Sequence, residues 1–472
     1  MITNMNRRDF FANAAFAAGG LALAGCAGGK GMFGGVSGAP MYGFVAPKLE
    51  RVRIGIIGLG ERGWRAVERL VGLPGVEITA ICDNVDTKIV RTREILKKKG
   101  APAAREFGGD EGWKALCDFD GVDVVYCATP WYLHAKNGVY AMKAGKHVMI
   151  EVPAAMYIDE CWELVETSEA TRRHCMQLEN CIYGESEMLA YNLCRQKMFG
   201  DLLYGECGYL HDRRKSVFSD IYTDHWRMWW NVRHRGDQYP THGLGPICRC
   251  MDVNCGDCLD YLVSVDTKQA GYEAYAKEHH AGTWKADLKF ETGDATFTTI
   301  RTVLGRAIVI KHDTTSPRPY SRINRIQGTR GVLEGSCPVD GKKTSWPLRV
   351  AIEDPKNGKE AREWMTDEMC EDLRRKYMHP LWKSAGDVAL KVGGHGGIDF
   401  LMDLSWTQCL QKGLPLDMSV YDLASWCSIC EASDKSCRAG STPQKLPDFT
   451  RGAWKSAVAR DVAVITPGDL AM

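Results

Sequence analysis

Residues Val52–Gly63 read VRIGIIGLGERG, and they restrict the fold more than any other stretch of the chain. The apolar run Ile54-Gly55-Ile56-Ile57 stops at Gly58-Leu59-Gly60-Glu61-Arg62-Gly63, and helical apolar spacing follows at Trp64, Val67, Leu70 and Val71. A strand, a glycine loop and a helix in this order make a dinucleotide site. Gly58 permits the tight turn, Gly60 lets the backbone approach a pyrophosphate, and Gly63 lets helix and strand pack closely. The helix N-terminus then faces the phosphate charge. Glycine-rich turns are common, so the loop alone says little. A second strand, Glu77–Cys82, ends in Asp83, twenty residues past Gly63. A carboxylate there accepts hydrogen bonds from an adenosine ribose, which favours NAD over NADP.

The alternation continues. Val122–Cys127 and His147–Ile150 are further short apolar strands, with helical patterns at Lys88–Lys99, His134–Ala144 and Ile158–Thr171. This predicts an α/β fold whose N-terminal part is a Rossmann-type doubly wound parallel sheet, over residues 49–175. The texture then changes. A helix is expected at Glu187–Lys197, and β-like runs at Leu203–Leu210, Cys258–Asp266, Gly282–Glu291, Ala295–Val303, Ala307–His312 and Ser321–Gly328. Helical patterns return at Gly397–Lys412 and Ser419–Asp434. Residues 176–472 are therefore expected to form a second, α+β domain with a mostly antiparallel open sheet that binds substrate.

The N-terminus reads as a leader, not as fold. Asn6-Arg7-Arg8-Asp9-Phe10-Phe11 carries the twin-arginine pattern, an Ala/Gly/Leu-rich run follows, and Leu23-Ala24-Gly25-Cys26 resembles a bacterial lipobox. Residues 1–26 are expected to direct export by the twin-arginine route to the periplasm or cell envelope. Lipidation is expected at Cys26, and residues 27–48 form a flexible tether. That route moves folded proteins, which suits a chain that must bind NAD before export. The charge balance, 60 Lys+Arg against 59 Asp+Glu, argues against nucleic acid as a partner. It leaves the lipid as the only expected tie to a membrane. A homo-oligomer is compatible with the sequence but not specified by it. The 19 cysteines include the pairs Cys248/Cys250, Cys255/Cys258 and Cys427/Cys430. No histidines stand at zinc-finger spacing, so these are expected as buried thiols, with no metal.

The densest polar-aromatic cluster is Tyr239-Pro240-Thr241-His242-Gly243-Leu244-Gly245-Pro246. It reads as a turn in which Tyr239 and His242 present two titratable groups three residues apart, and histidine suits proton transfer near neutral pH. Tyr209-Leu210-His211-Asp212-Arg213-Arg214, Trp226-Arg227, the HDTTSPRPY segment (Asp313, Arg318, Tyr320) and Gly393-Gly394-His395-Gly396-Gly397 add aromatic, arginine and histidine side chains. Rings that stack on C–H faces, together with fixed hydrogen-bonding groups, suit a sugar.

These residues resemble a known family. The glycine loop, Thr129-Pro130 with His134, and the strand ending at Glu151 are similar to the Gfo/Idh/MocA oxidoreductases. Trp226-Arg227 followed by YPTHGLGP, the GYLHD strand, RPY before QGT, HPLWK, GGHGG and PDF narrow the resemblance to glycoside hydrolase family 109, NAD-dependent α-N-acetylgalactosaminidases. The resemblance runs from about Arg51 to Lys455. The broader family carries Glu-Lys-Pro where this chain has Glu151-Val152-Pro153. Val152 moves no proton, so an ordinary sugar dehydrogenase would lack its usual base.

The resemblance implies that Gly58, Gly60, Glu61, Arg62, Gly63, Asp83, Trp131, Tyr132, Leu133, His134, Glu151, Val152 and Asn180 bind NAD. It implies sugar contacts from Tyr209, Arg227, Tyr239, Thr241, His242 and Tyr320, and acid/base roles for His242 and Tyr239, with Tyr183 a further candidate. The implied reaction hydrolyses terminal α-N-acetylgalactosamine through oxidation, elimination, addition and reduction. NAD stays tightly bound and is recycled in each turnover. Two alternatives remain in view: an exported NAD-dependent sugar dehydrogenase or oxidoreductase, and a non-catalytic NAD- or sugar-binding protein. Scarce NAD outside the cytoplasm and Val152 count against the first, and the Tyr239/His242 pair counts against the second.

Overall fold

The computed structural model describes residues 39–335, 348–353, 360–458 and 461–462. The twin-arginine motif and Cys26 lie outside these residues. Strand β1 (Val52–Ile57) buries every residue except the partly covered Arg53. A strand apolar on both faces needs cover on both, and a parallel sheet between helix layers supplies it. β2 (Val76–Cys82), β3 (Arg105–Phe107), β4 (Val124–Cys127), β5 (His147–Ile150) and β6 (Cys175–Gln177) complete that sheet. Its order is β3-β2-β1-β4-β5-β6, with every pairing parallel. The order reverses between β1 and β4, so the loops after these strands flank the crevice where such sheets bind ligands. β6 crosses the boundary expected at residue 175.

The second sheet runs β13-β12-β11-β7-β10-β9-β8-β14. Its strands are β7 (Leu202–Leu210), β8 (Leu259–Asp266), β9 (Thr296–Thr302), β10 (Ala307–Asp313), β11 (Arg325–Gly328), β12 (Gly331–Glu334), β13 (Arg349–Ile352) and β14 (Gln444–Lys445). Only β7 and β10 pair in parallel; the other pairings are antiparallel. β9 alternates buried and exposed positions, the pattern of a sheet with one solvated face.

Two late helices return to the first sheet. Ile398–Lys412 packs on β1 and on the helix Glu61–Leu70, while Val420–Arg438 packs on both the helix Ile158–Thr171 and β8. The described residues from Ala39 onward accordingly make one compact unit.

Some expectations fail for local reasons. Gly282–Glu291 forms no strand. It holds a short 3₁₀ turn, Trp284–Asp287, with Trp284 stacked on Trp229 at 5.6 Å. The run Ser321–Gly328 is strand only from Arg325, because Ile323 and Asn324 take positive φ values. Tyr239–Pro246 is not a turn throughout: Thr241 begins the helix Thr241–Cys250. Residues 39–48, expected as part of the tether, are packed down. Met41 is buried and donates its N–H to Tyr421 Oη at 3.0 Å, and Tyr42 stacks on Tyr421. The described cysteines are all free thiols, most of them buried.

Candidate active site

The three glycines do three different things. Gly58 has φ +87°, and a Cβ there would sit 2.5 Å from the Ala128 carbonyl oxygen. A Cβ on Gly63 would lie 1.8 Å from the Gly58 carbonyl oxygen, so only glycine lets this helix meet the loop. A Cβ on Gly60 would meet nothing within 4 Å, and no side chain caps the helix that starts at Glu61. Free backbone N–H groups facing open space suit a diphosphate, and the residues present therefore fit a dinucleotide. Asp83 Oδ2 accepts the Leu59 N–H at 2.7 Å and Oδ1 that of Val85 at 2.9 Å. The carboxylate thus also pins the glycine loop, using two of its acceptor positions and leaving others for a ribose.

Arg62 leaves the first turn of that helix and enters a buried charge network. Its Nε lies 2.9 Å from Glu151 Oε1, which also accepts the Tyr126 hydroxyl at 3.1 Å. Its Nη1 lies 3.2 Å from Asp399 Oδ2. Asp399 further contacts Arg69 at 3.6 Å and His395 Nδ1 at 2.8 Å, and accepts from Asn180 Nδ2. Burial works to raise the Asp399 carboxyl pKa, but Arg62, Arg69 and His395 hold it well below the carboxylate range. Glu61, by contrast, turns to Arg65 at the surface.

Among the residues after β4, Trp131 is buried and Tyr132 is half exposed, while Leu133 follows in the same helical turn. His134 is buried, with Nδ1 2.7 Å from the Pro153 carbonyl and Nε2 2.7 Å from that of Thr129. Its side chain ties the loops after β4 and β5 together. Val152 is buried beside Glu151.

The second group of residues meets at Trp131. The Tyr239 ring lies 5.7 Å from Trp131, 4.6 Å from Tyr209 and 4.9 Å from His242. Tyr320 stands edge-on to Tyr209 at 5.9 Å. The Arg227 guanidinium lies 4.6 Å from the Trp131 ring centre and 5.2 Å from that of Tyr239. The structure thus brings together Tyr209, Arg227, Tyr239, His242 and Tyr320, expected on the sugar, with Trp131, expected on NAD. Thr241 is buried in the first turn of its helix. Gly243 allows that helix to lie on β7, since a Cβ there would be 2.5 Å from the Gly208 nitrogen. This close approach sets His242 beside Tyr209.

His242 Nδ1 lies 2.7 Å from Glu179 Oε1. Burial raises the Glu179 pKa, and the contact with His242 and further hydrogen bonds outweigh it, so the carboxyl stays below its ordinary value. Burial drives the Tyr239 hydroxyl well above the usual tyrosine range and lowers His211 to about 3. Both are neutral near pH 7. Cys181 joins Glu179 and His242 in a group whose ligand atoms lie within 4.8 Å of one another. Tyr183 is elsewhere. It is fully buried, and its hydroxyl donates to Asp417 Oδ2 at 2.7 Å. The structure thus removes it from the acid/base candidates near His242.

Glu179, Asp399 and Tyr222 join the site without having been expected there, while Arg213 comes from the cluster that begins at Tyr209. Glu179 stands next to Asn180, but nothing local pairs it with a histidine 63 residues away.

Residues 52–178 match the model of an oxidoreductase family with an NAD-binding Rossmann fold. Residues 183–456 match that of the glycosyl hydrolase 109 C-terminal domain. A glycosyl hydrolase family 109 protein of Bacteroides thetaiotaomicron is 45% identical over 413 residues, 87% of each chain. The chain belongs to glycosyl hydrolase family 109. Another relative, an alpha-N-acetylgalactosaminidase of Shewanella oneidensis, is 41% identical over 461 residues, covering 96% of this chain and 98% of its own. Among solved structures, a levoglucosan dehydrogenase in complex with NADH and levoglucosan shares the fold. Its TM-score is 0.61 at 18% identity, over 84% of this chain and 100% of its own. This family 109 chain is accordingly a glycoside hydrolase with an NAD-binding Rossmann domain.

Proposed function

We propose that this enzyme hydrolyses terminal α-N-acetylgalactosamine with no net oxidation, keeping one NAD bound through successive turnovers. The observation that carries this is the Glu179–His242 pair beside Tyr239 and Tyr209, together with Val152 where a dehydrogenase of this fold would need a lysine. When bound, NAD supplies reversible hydride exchange at sugar C3, which makes the neighbouring C2 proton acidic.

The chain's own groups supply the rest. Glu179 fixes His242 through Nδ1, leaving Nε2 as the nitrogen that takes or gives a proton. Tyr239, neutral because it is buried, can donate one. The rings of Tyr209, Tyr239 and Tyr320 offer C–H stacking faces, and Arg227 offers donors to hydroxyl or acetamido oxygens. Arg62, Asp399 and Asn180 hold the loop that faces the diphosphate. No pair of carboxylates flanking the glycosidic bond is needed. The name of the Shewanella oneidensis relative supports the choice of sugar.

The test is release of nitrophenol from p-nitrophenyl α-N-acetylgalactosaminide by purified protein with no added NAD. Release is expected, with solvent deuterium at C2 of the freed sugar. No release, with NADH accumulating on free sugars, would overturn the reading. The leader supports twin-arginine export and lipid anchoring at Cys26. Lysines in place of Arg7 and Arg8 should keep the protein in the cytoplasm, and Cys26→Ala should abolish lipid labelling. Unchanged export or labelling would refute the respective step.

A further inference from the structure

Tyr222 lies beside the site and has no role so far. Its hydroxyl oxygen accepts from Arg213 Nη2 at 2.5 Å and from Arg227 Nη1 at 3.1 Å. Guanidinium groups only donate, so both lone pairs of a neutral phenol oxygen are occupied. Among the described residues no acceptor takes the phenol hydrogen. Nor does Arg213 or Arg227 form an ion pair with a carboxylate among the described residues. Arg227 is 9% exposed, and Arg213 Nε is buried without a partner. Two sequestered cations converging on one oxygen call for an anion at that oxygen.

The position is also right. Arg227 bridges the Tyr222 hydroxyl and the Trp131 and Tyr239 rings. Trp226 stacks edge-on to both Tyr222, at 5.2 Å, and Trp131, at 5.1 Å. Lys88, on the helix after Asp83, holds the next residue, Thr223, at 2.7 Å. The segment carrying Tyr222 is thereby fastened to the NAD-binding half. The charged and titratable groups facing Tyr222 are Arg227, Arg213 and the Tyr272 hydroxyl. Burial pushes the Tyr222 pKa up, but the two guanidinium groups outweigh it and hold the phenol below its ordinary value.

We propose that Tyr222 is a third acid/base group of this enzyme, a phenolate held by Arg213 and Arg227 that takes the sugar C2 proton. This rests on the redox-neutral reading. Once C3 is a ketone, the C2–H bond breaks and its proton passes to Tyr222 Oη. The C–H electron pair forms the C1–C2 double bond. The C1–O bond breaks with its pair on the leaving oxygen, which is protonated from His242 or water. Water then adds at C1 and gives its other proton to His242 or solvent, and Tyr222 returns its proton to C2. A phenolate is a stronger base than an imidazole, which suits a carbon acid, and the guanidinium groups keep it ionised at lower pH.

The test uses the NAD-loaded enzyme. Ultraviolet titration at the tyrosinate band should show one tyrosine ionising below the others in wild type and missing in Tyr222→Phe. In Arg213→Gln that ionisation should move up. Tyr222→Phe should lower kcat by about 10²–10⁴-fold, with KM and bound NAD little changed. Deuterium exchange at C2 should vanish, while hydride transfer from the sugar, read as nicotinamide absorbance, persists. The rise of kcat with pH that follows the phenolate should shift upward in Arg213→Gln. Identical titrations in wild type and Tyr222→Phe, or C2 exchange retained in Tyr222→Phe, would overturn the proposal. A wild type that releases no nitrophenol would sink the glycosidase reading. The titration would still report on the phenolate.

Discussion

The two halves of the site handle charge in opposite ways. On the glycine-loop side, Arg62 and Arg69 are matched by Glu151, Asp399 and Asp403, all of them buried. On the aromatic side, Arg213 and Arg227 face tyrosines. The ionised carboxylate there, Glu179, is committed to His242. A matched network is stiff and electrically quiet, which suits holding a cofactor in place. An unmatched cationic patch lowers the cost of anionic groups and of developing negative charge, which suits proton transfer.

The largest expected effect breaks the chemical half alone. His242→Ala should reduce kcat by about 10²–10⁴-fold while NAD remains bound, measured as nucleotide released on denaturation. Loss of NAD in step with activity would mean that the halves are not separable. Asp399→Asn tests the other half. It leaves Arg62 and Arg69 short of a buried partner, and removing one member of such a network costs about 3–5 kcal/mol. A large drop in chemical-denaturation stability is expected, together with weaker NAD retention. A stability change within error would show that the network is not what holds the loop.

The aromatic half can be probed by pH through Asp237. Its Oδ1 accepts the Tyr239 N–H at 3.1 Å, while Oδ2 is buried without a partner. Burial raises its pKa to about 7. A carboxyl whose folded pKa lies above its unfolded value binds a proton more tightly when folded. Its stabilising contribution is therefore full below about pH 4 and is lost as pH rises through 7. Asp237→Asn should flatten that slope by roughly 2–4 kcal/mol across the window, as read from denaturation midpoints. An unaltered slope would mean that Asp237 is ionised, and the contrast between the halves would weaken.

How much of this was legible in the sequence follows from the range of each signal. The glycine loop could be read because much of its constraint is local: Gly58 takes a positive φ, and Gly63 meets the Gly58 carbonyl only five residues back, although Gly58 also answers to the distant Ala128. Tyr239 and His242 could be read because three residues place them together. Glu179, Asp399 and Tyr222 could not. Each acts through a partner delivered by topology: His242 by the helix laid on β7, Arg62 by the late helix returning to β1, Arg213 by the end of β7. The strand expected at Gly282–Glu291 failed for the same reason, since Trp284 answers to Trp229 and not to its neighbours in sequence.

Tyr183 gives the smallest effect and the cleanest boundary for the site. The resemblance made it an acid/base candidate, but its hydroxyl donates to the buried Asp417. Asp417 is itself buried, with Oδ1 unpartnered, and its backbone carbonyl accepts from Arg249. Arg249 sits seven residues beyond His242, at the far end of the same helix, roughly 10 Å along its axis. Tyr183→Phe should keep kcat within about twofold and lower stability by about 1–3 kcal/mol, the cost of leaving a buried acceptor unmade. A hundredfold loss of kcat at unchanged NAD content would return Tyr183 to the acid/base set and move the edge of the site to Asp417.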